Sequence, residues 1–290
     1  MNYRHQYHAG NFADVFKHAV MVRIIEYLKR KEKAFRVIDT HAGIGLYDLS
    51  STEARKTGEW QGGVGKLLNA PLPDAARTLL APYLDLVRRM NPDGAFNVYP
   101  GSPLIARELL RWRDRLSAVE KHPQDADALR KLFSSDHQVK VMELDGWLAL
   151  GAHVPPKEKR GLVLVDPPFE EEGEFARMAD GLKKAHHRWP GGVYALWYPV
   201  KDRAGAETFR QTLKKSGMAR ILDCVLTIRP PSAAERLDGS GMVIVNPPYT
   251  LEAELRVILA ALAGILAEDK AGNWSLEWLA GETPPQDRGQ

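Results

Sequence analysis

The chain has 290 residues, of which 44% are hydrophobic and 27% charged, a composition typical of a globular protein with a substantial core. Its formal charge of +3 permits a nucleic-acid partner without requiring one. The single cysteine, Cys224, excludes an intramolecular disulfide, and the chain begins with polar residues rather than a signal core. The longest apolar stretch, residues 255–267, contains Arg256 and is too short to cross a bilayer, so we expect a cytoplasmic protein.

The first predicted element is a helix that ends near Arg30. Residues 3–18 lie before this helix and at its start, and they are unusually rich in aromatic and histidine side chains. Asn11 and Asp14 are both suitable N-cap residues. Because the segment is too polar for a core and too aromatic for a disordered tail, we expect residues 1–18 to form a flap over a bound ligand.

Seven short apolar runs alternate with helical patterns along the rest of the chain. This alternation predicts a single α/β domain, residues 1–290, with a mostly parallel, doubly wound, Rossmann-like sheet. The runs are residues 35–39, 116–120, 139–144, 162–166, 193–198, 221–228 and 242–245. Ligands bind at the carboxyl ends of the strands in such sheets, so functional residues are expected where each run ends.

A segment of about residues 50–99 interrupts this alternation. It carries several glycines and prolines, a helical pattern at residues 74–90 and no convincing strand. We interpret it as a small helical insertion, a lid or a substrate-docking subdomain. The polar, proline-containing end, residues 283–290, is expected to fray.

The most informative motif is Asp-Pro-Pro-Phe at residues 166–169, directly after the fourth run. Two adjacent prolines prevent helix continuation and remove two backbone donors, so the loop is stiff. Asp166 and the Pro167 carbonyl can accept the two N–H bonds of an exocyclic amino group, while Phe169 stacks on the ring. This is the chemistry of an enzyme that alkylates an amino nitrogen, and the alternative is a simple Pro-Pro turn.

The ends of the first three runs suit a nucleoside cofactor. Gly43 and Gly45 follow the first run and allow a ligand to approach the backbone closely. Glu120 ends the second run, where a carboxylate can accept both ribose hydroxyls, and Asp145-Gly146 follows the third, where an acid can accept from an adenine amino group. With Asp-Pro-Pro-Phe after the fourth run, this is the order in which class I methyltransferases arrange S-adenosylmethionine and its target.

Four segments resemble the RlmJ family of 23S ribosomal RNA adenine-N6 methyltransferases, in order and over essentially the whole chain. They are residues 3–18, residues 39–49 (Asp-Thr-His-Ala-Gly-Ile-Gly-Leu-Tyr-Asp-Leu), Pro-Gly-Ser-Pro at 100–103 and Asp-Pro-Pro-Phe at 166–169. The resemblance implies a class I S-adenosylmethionine-dependent methyltransferase fold, with S-adenosylhomocysteine as product and 23S rRNA as partner. It also implies methylation at N6 of adenine 2030 in free or unassembled rRNA, without an obligate protein partner, by a monomer.

The resemblance also implies roles for individual residues. The cofactor-binding residues are Lys17, His18, His41, Gly43, Ser102, Glu120, Asp145, Gly146 and Asp166. The catalytic residues are Asp166, Pro167 and Phe169, and the substrate-binding residues are Tyr3 and Phe169.

Other catalytic sites have little support in the sequence. The nine histidines occur without a Cys-x-x-Cys or His-Glu-x-x-His pattern, and the adjacent His186 and His187 would diverge on a helix, so no metal is expected. The chain also lacks the Gly-x-Ser-x-Gly motif of serine hydrolases.

A second amino-methyltransferase-like loop, Asn-Pro-Pro-Tyr, occupies residues 246–249 after the seventh run. In the expected sheet the seventh strand lies beyond the fifth and pairs with the sixth, so its end points away from the transferable methyl group. We therefore interpret this loop as a stiff turn.

Two other functions stay open. One is an amino-methyltransferase that acts on DNA adenine or on a protein glutamine, because the Asp-Pro-Pro-Phe loop cannot distinguish a nucleobase amine from a carboxamide. The other is a non-catalytic RNA-binding protein with this fold.

Overall fold

The computed structural model describes residues 5–231, 236–268 and 271–282. The strands are β1 (Arg36–Asp39), β2 (Leu46–Asp48), β3 (Val98–Pro100), β4 (Arg115–Glu120), β5 (Val139–Glu143), β6 (Gly161–Val165), β7 (Val193–Val200), β8 (Ile221–Thr227), β9 (Gly239–Val245) and β10 (Asn273–Ala280). The α-helices are α1 (Phe12–Lys29), α2 (Thr52–Thr57), α3 (Lys66–Asn69), α4 (Asp74–Met90), α5 (Ser102–Leu109), α6 (Pro123–Leu132), α7 (Gly146–Ala152), α8 (Glu174–Arg188), α9 (Arg203–Lys214) and α10 (Leu251–Leu266). A 3-10 turn (His5–Tyr7) and a π-helical turn (Gln61–Gly65) complete the elements.

Eight strands form one sheet in the order β10-β8-β9-β7-β6-β1-β4-β5. Strands β5, β4, β1, β6 and β7 are parallel, and β9 pairs antiparallel with both β7 and β8. The chain runs outward from β1 through β4 to β5 and then returns to β6 on the other side of β1. The loops after β1 and β6 therefore separate at a topological switch point, where such sheets bind ligands.

The central strands are apolar throughout because helices cover both faces of the sheet. All five residues of β6 are buried: Leu162 and Leu164 pack with one hydrophobic cluster, and Val163 and Val165 pack with another. The first cluster includes residues of α1, α4, α5 and α10, and the second includes residues of α8 and α9. The two clusters hold the strand ends in a fixed relation to one another.

Helix α1 begins after Asn11, whose side chain accepts a hydrogen bond from the Asp14 backbone N–H. Its side chains are buried almost all round, including the polar residues Lys17 (4% exposed) and His18 (1% exposed). The expectation of a flap is wrong for residues 12–18, which form the first turns of this buried helix. Burial of polar groups there is possible because they bond to one another, as described below. Tyr3 lies outside the described residues.

The segment of residues 50–99 is helical, as expected, and contains α2, α3 and α4. It does not have a separate core, since Leu67 and Tyr83 pack in the same cluster as Phe16 of α1. The short antiparallel pair β2–β3, which joins Leu46 to Pro100 and brings the two ends of the segment together, was not predicted from the sequence. The edge strand β10 was not predicted either. The tail, residues 283–290, lies outside the described residues.

The Asn-Pro-Pro-Tyr loop follows β9 and lies at the edge of the sheet opposite to Asp166, because β9 is antiparallel to β7. The Asn246 amide donates to the carbonyls of Pro190 and Gly192, at 2.7 and 2.8 Å, ahead of β7. Strand order therefore separates this loop from Asp166, as predicted. Tyr249 is 88% exposed and contributes little to the core. Among the described helices, none is both long and apolar enough to cross a membrane.

Candidate active site

A cleft of about 1480 Å³ lies at the carboxyl ends of the parallel strands. Its walls include the loops after β1, β4, β5, β6 and β7 and the first turns of α1. All the described residues predicted from the sequence to bind cofactor or substrate or to act in catalysis line this cleft. The fold thus brings together residues that are as far apart in the chain as Lys17 and Phe169.

The glycine loop after β1 is fixed by Glu120. The backbone N–H of Gly43 donates to Glu120 Oε2 at 2.9 Å, and the N–H of His122 donates to Oε1 at 2.7 Å. Gly43 has a φ of 61°, and a Cβ there would lie 2.3 Å from the Tyr47 hydroxyl, so glycine is required. Burial raises the pKa of Glu120 despite these hydrogen bonds. The carboxylate faces the cleft with its orientation fixed by two backbone donors.

His41 presents a hydrogen-bond acceptor to the cleft. The Thr40 hydroxyl donates its single proton to the Leu164 carbonyl at 3.0 Å, so it must accept from His41 Nδ1, 2.8 Å away. Burial lowers the pKa of His41 to about 4, which keeps the ring neutral at pH 7. With its proton on Nδ1, His41 carries a lone pair on Nε2. A Cβ at Gly146 would lie 2.8 Å from that nitrogen and 2.2 Å from the Thr40 carbonyl.

Asp145 caps helix α7 beside His41. Its Oδ1 accepts from the Trp147 backbone N–H at 2.9 Å, and its Oδ2 lies 3.1 Å from Lys121 Nζ. Partial burial acts to raise the pKa of Asp145, but the Trp147 N–H and Lys121 lower it overall. An ionised acceptor is therefore held at the end of β5.

Ser102 lies at the first position of α5 and donates to Asp39 Oδ2 at 2.6 Å. Burial raises the pKa of Asp39 to about 6, and the nearby charge of Asp166 acts in the same direction. The other Asp39 oxygen accepts from the His41 backbone N–H at 3.3 Å. Asp39 itself is 1% exposed, so it binds His41 and Ser102 from the protein interior. Ser102 lines the cleft.

Lys17 connects the buried start of α1 to the Asp-Pro-Pro-Phe loop. Its Nζ lies 2.8 Å from Asp14 Oδ1 and 2.5 Å from Asp166 Oδ2. Burial alone would lower the pKa of Lys17, but the two carboxylates raise it well above its usual value. Asp14 is held in turn by the Gly10 N–H and by His5 Nε2, each at 2.9 Å from Oδ2. The chain His5–Asp14–Lys17–Asp166 fixes one oxygen of Asp166.

His18 lies beside this chain and is almost fully buried. Its Nδ1 is 2.7 Å from the Tyr99 hydroxyl, which is 2.8 Å from the Tyr83 hydroxyl. Its Nε2 has no hydrogen-bond partner in the described part of the chain. Burial lowers the pKa of His18 to about 3, so the ring is neutral. Since His18 lines the cleft, this unpaired nitrogen is a candidate ligand contact.

Phe169 belongs to a cluster of aromatic rings on the other side of Asp166. Its ring makes edge contacts with Phe175 and Trp197, with centroids 4.9 and 5.9 Å apart. Phe169 has a φ of 51°, an unfavourable conformation for a bulky residue that the loop imposes. The indole N–H of Trp197 donates a hydrogen bond to the buried Ser240 hydroxyl at 2.6 Å, which fixes the ring. The cleft thus contains a rigid aromatic surface next to a carboxylate.

Sequence reasoning missed three contributors to the site. Asp14 was considered only as a helix cap, Asp39 only as a strand end, and Trp197 only as part of a strand. The signal for Asp14 was its spacing from Lys17, which places the two side chains one turn apart on a helix. Among the described residues, no group of three or more His, Cys, Asp or Glu side chains could hold a metal ion.

Comparison with known proteins identifies the family to which this chain is similar. Residues 32–280 match the model of the family described as ribosomal RNA large subunit methyltransferase D, RlmJ. The chain is 42% identical to ribosomal RNA large subunit methyltransferase J of Haemophilus influenzae and 39% identical to that of Escherichia coli. Each alignment covers 97% of this chain and 100% of the relative.

The fold also matches a solved structure, that of protein LPL1258 from Legionella pneumophila. The TM-score is 0.85 at 32% identity, with 93% of this chain and 98% of that chain covered. The mixed sheet and the cleft at its switch point are those of a Rossmann-like methyltransferase. The chain belongs to the RlmJ family of ribosomal RNA large subunit methyltransferases.

Proposed function

We propose that this protein transfers a methyl group from S-adenosylmethionine to the N6 amino group of an adenine in 23S rRNA. The observation that carries the proposal is the position of Asp166, held by Lys17 in the cleft that also contains Glu120, His41 and Asp145. The family relationship supports rRNA as the substrate. We propose adenine 2030, the position that the resemblance implies, as the target, in free or unassembled rRNA.

The side chains of the cleft suit this cofactor, which carries a net positive charge. The part of the cleft wall formed by the carboxyl ends of β4, β5 and β6 and the segments that follow them carries six carboxylates and two cations in addition to Asp166. This excess of negative charge favours a cationic ligand. The carboxylates are Glu120, Asp125, Asp145, Glu170, Glu171 and Glu174, and the cations are Lys121 and Arg177. When bound, S-adenosylmethionine supplies a methyl group on a positively charged sulfur.

Individual residues would hold the cofactor at separate points. Glu120 would accept from the ribose hydroxyls, and Asp145 from the adenine amino group of the cofactor. His18 and Ser102 would contact its methionine end, where Nε2 of His18, which has no partner among the described residues, is available for a hydrogen bond. Gly43 and Gly146 line the cleft and would lie beside the cofactor. These assignments account for a buried nitrogen that otherwise lacks a partner.

Asp166 and the Pro167 carbonyl act on the target amino group, which is a poor nucleophile because its lone pair is delocalised into the ring. Lys17 fixes Asp166 Oδ2, which leaves Oδ1 to accept one N–H while Pro167 accepts the other. Holding both N–H groups favours tetrahedral geometry at nitrogen and directs its lone pair toward the methyl group. Positioning and electrostatic stabilisation therefore supply most of the catalysis. Asp166 or water then takes the proton.

The target adenine must leave its stack to reach Asp166, which costs a few kcal/mol and less in an unpaired RNA loop. Stacking on Phe169, about 1–3 kcal/mol, offsets part of this cost. We propose that Tyr3, as the family resemblance implies, lies beside the same adenine. His5, which follows in the described part of the chain, lines the cleft.

Mass mapping of ribosomal RNA from cells that lack this protein tests the proposal. We expect one adenine to lose a single methyl group and to regain it when the parent gene, but not an Asp166→Ala variant, is restored. In vitro, the purified protein should transfer methyl groups to a 23S rRNA transcript but not to duplex DNA or to a glutamine-containing protein substrate. An unchanged rRNA map, or preferential transfer to DNA or protein, would contradict it.

A further inference from the structure

A basic surface lies at the edge of the sheet opposite to the cleft. It consists of residues 29–33, 111–115 and 157–160, which we call the basic platform. These segments precede or begin β1, β4 and β6, three adjacent parallel strands, so they meet at the same edge. The strands have only four to six residues, which at about 3.3 Å per residue places the platform about 13–20 Å from the cleft.

The platform concentrates positive charge. Its fourteen residues include ten Lys or Arg and three Asp or Glu, whereas the whole chain has a formal charge of only +3. The rest of the chain therefore carries an excess of acidic residues. Such a separation of charge is the electrostatic pattern of a protein that binds a polyanion.

Arginine side chains hold the three segments of the platform together. Arg111 Nη1 donates to the carbonyls of Lys29 and Lys31, at 3.0 and 2.8 Å. Arg160 Nη1 donates to the Lys33 carbonyl at 2.9 Å. The guanidinium groups of Arg111 and Arg160 also contact the buried Phe35 ring. The platform is therefore a preorganised surface rather than three independent loops.

The lysines of the platform are available for an external ligand. Lys31, Lys33, Lys157 and Lys159 are exposed, and none forms an ion pair with an acidic side chain in residues 5–231, 236–268 or 271–282. The arginines mainly stabilise the loops, while these ammonium groups face solvent. Lysine acts as a compact point charge suited to phosphate.

Trp112 lies within the platform and is 75% exposed. The Arg113 guanidinium lies 4.8 Å from the centroid of its ring, which steadies the indole and leaves much of its surface open. An exposed aromatic ring on a surface rich in cations is the arrangement that binds single-stranded nucleic acid, since bases stack on the ring while phosphates contact the cations.

We propose that the basic platform is a second RNA-binding surface, which holds an unpaired segment of the RNA substrate away from the reacting adenine. One base stacks on Trp112, and flanking phosphates contact the exposed lysines. The identity of the RNA rests on the proposed function. The platform raises affinity for large RNA without touching the cofactor or the target base.

Filter binding of a radiolabelled 23S rRNA transcript tests this proposal, with methyl transfer to the same transcript measured in parallel. We expect Trp112→Ala to raise the Kd for RNA about tenfold. The pair Lys31→Gln/Lys33→Gln should lower the slope of log Kd against log salt by about 1 to 2. The Kd for S-adenosylmethionine should not change.

Matched controls lie elsewhere on the surface. Tyr249→Ala removes an exposed aromatic ring outside the platform, and Lys214→Gln/Lys215→Gln removes two adjacent exposed lysines at the end of α9. Unchanged RNA affinity and salt slope in the platform variants, with an active parent, would overturn the inference. A parent that binds RNA through the platform but transfers no methyl group would instead overturn the proposed function.

Discussion

Lys17 Nζ lies 2.5 Å from Asp166 Oδ2, so a residue of the first helix and the acid after β6 form one partly buried ion pair. The same ammonium group contacts Asp14 at 2.8 Å. One cation therefore contacts two carboxylates and fixes the orientation of the proposed catalytic residue.

Replacing Lys17 by Met should destabilise the protein by about 3 kcal/mol, because buried carboxylates lose their cation. The rate of methyl transfer should also fall, since Lys17 no longer fixes the orientation of Asp166. Chemical denaturation measures the first effect. Adding Asp14→Asn should restore part of the stability but not the activity. A Lys17→Met protein that is as stable and as active as the parent would show that the pair has no role.

Asp166→Ala should abolish methyl transfer while S-adenosylmethionine binding changes less. Asp166→Asn should also be severely impaired, because one terminal atom becomes a donor that faces the N–H donors of the substrate. Single-turnover methyl transfer, with calorimetry for cofactor binding, separates the two effects. Near-normal turnover in Asp166→Ala would exclude this loop as the catalytic one.

Phe169→Ala should lose methyl-transfer activity without unfolding, because stacking on the target base is removed. Tyr249→Ala is the matched variant in the other Pro-Pro loop, and it should keep both activity and stability because that ring is 88% exposed. Activity assays and thermal denaturation of the two proteins provide the comparison. An inactive Tyr249→Ala beside an active Phe169→Ala would mean that the two loops have been assigned the wrong way round.

Glu120→Ala should weaken S-adenosylmethionine binding by on the order of 1–3 kcal/mol, since two charge-assisted hydrogen bonds are lost. The glycine loop also loses its partner, because the Gly43 N–H donates to this carboxylate. Calorimetric titration measures the change. Glu120→Gln is the control, since it keeps an acceptor for Gly43 and should bind with intermediate affinity. Identical isotherms for parent and Glu120→Ala would remove Glu120 from the cofactor site.

The stability of the protein should depend on pH through His18. Burial lowers the pKa of His18 from 6.5 to about 3, so between these values the unfolded chain binds a proton that the folded protein does not. The free energy of unfolding should therefore fall as pH drops from 6.5 toward 3, by up to about 1.4 kcal/mol per pH unit from this group. Denaturation of the parent and of His18→Gln across this range measures the difference. Parallel pH profiles for the two proteins would refute the assignment.

Much of the fold was determined by local features of the sequence. The apolar runs predicted seven of the eight strands of the main sheet, because strands covered on both faces are mostly apolar. The order of Gly43, Glu120, Asp145 and Asp166 along those strands indicated the cleft, since parallel strands place their carboxyl ends together. The short pair β2–β3 and the edge strand β10 have weaker patterns because they are short or half exposed, and they were missed.

Only the tertiary structure decided what the polar residues of the first helix do. In the sequence, Lys17 and His18 were predicted to belong to a flap, because residues 1–18 are too polar for a core and too aromatic for a disordered tail. Packing against the sheet brings Asp166 within hydrogen-bonding distance of Lys17 and the Tyr99 hydroxyl within reach of His18. These partners lie far away in sequence and compensate the cost of burial, so the helix belongs both to the core and to the candidate active site.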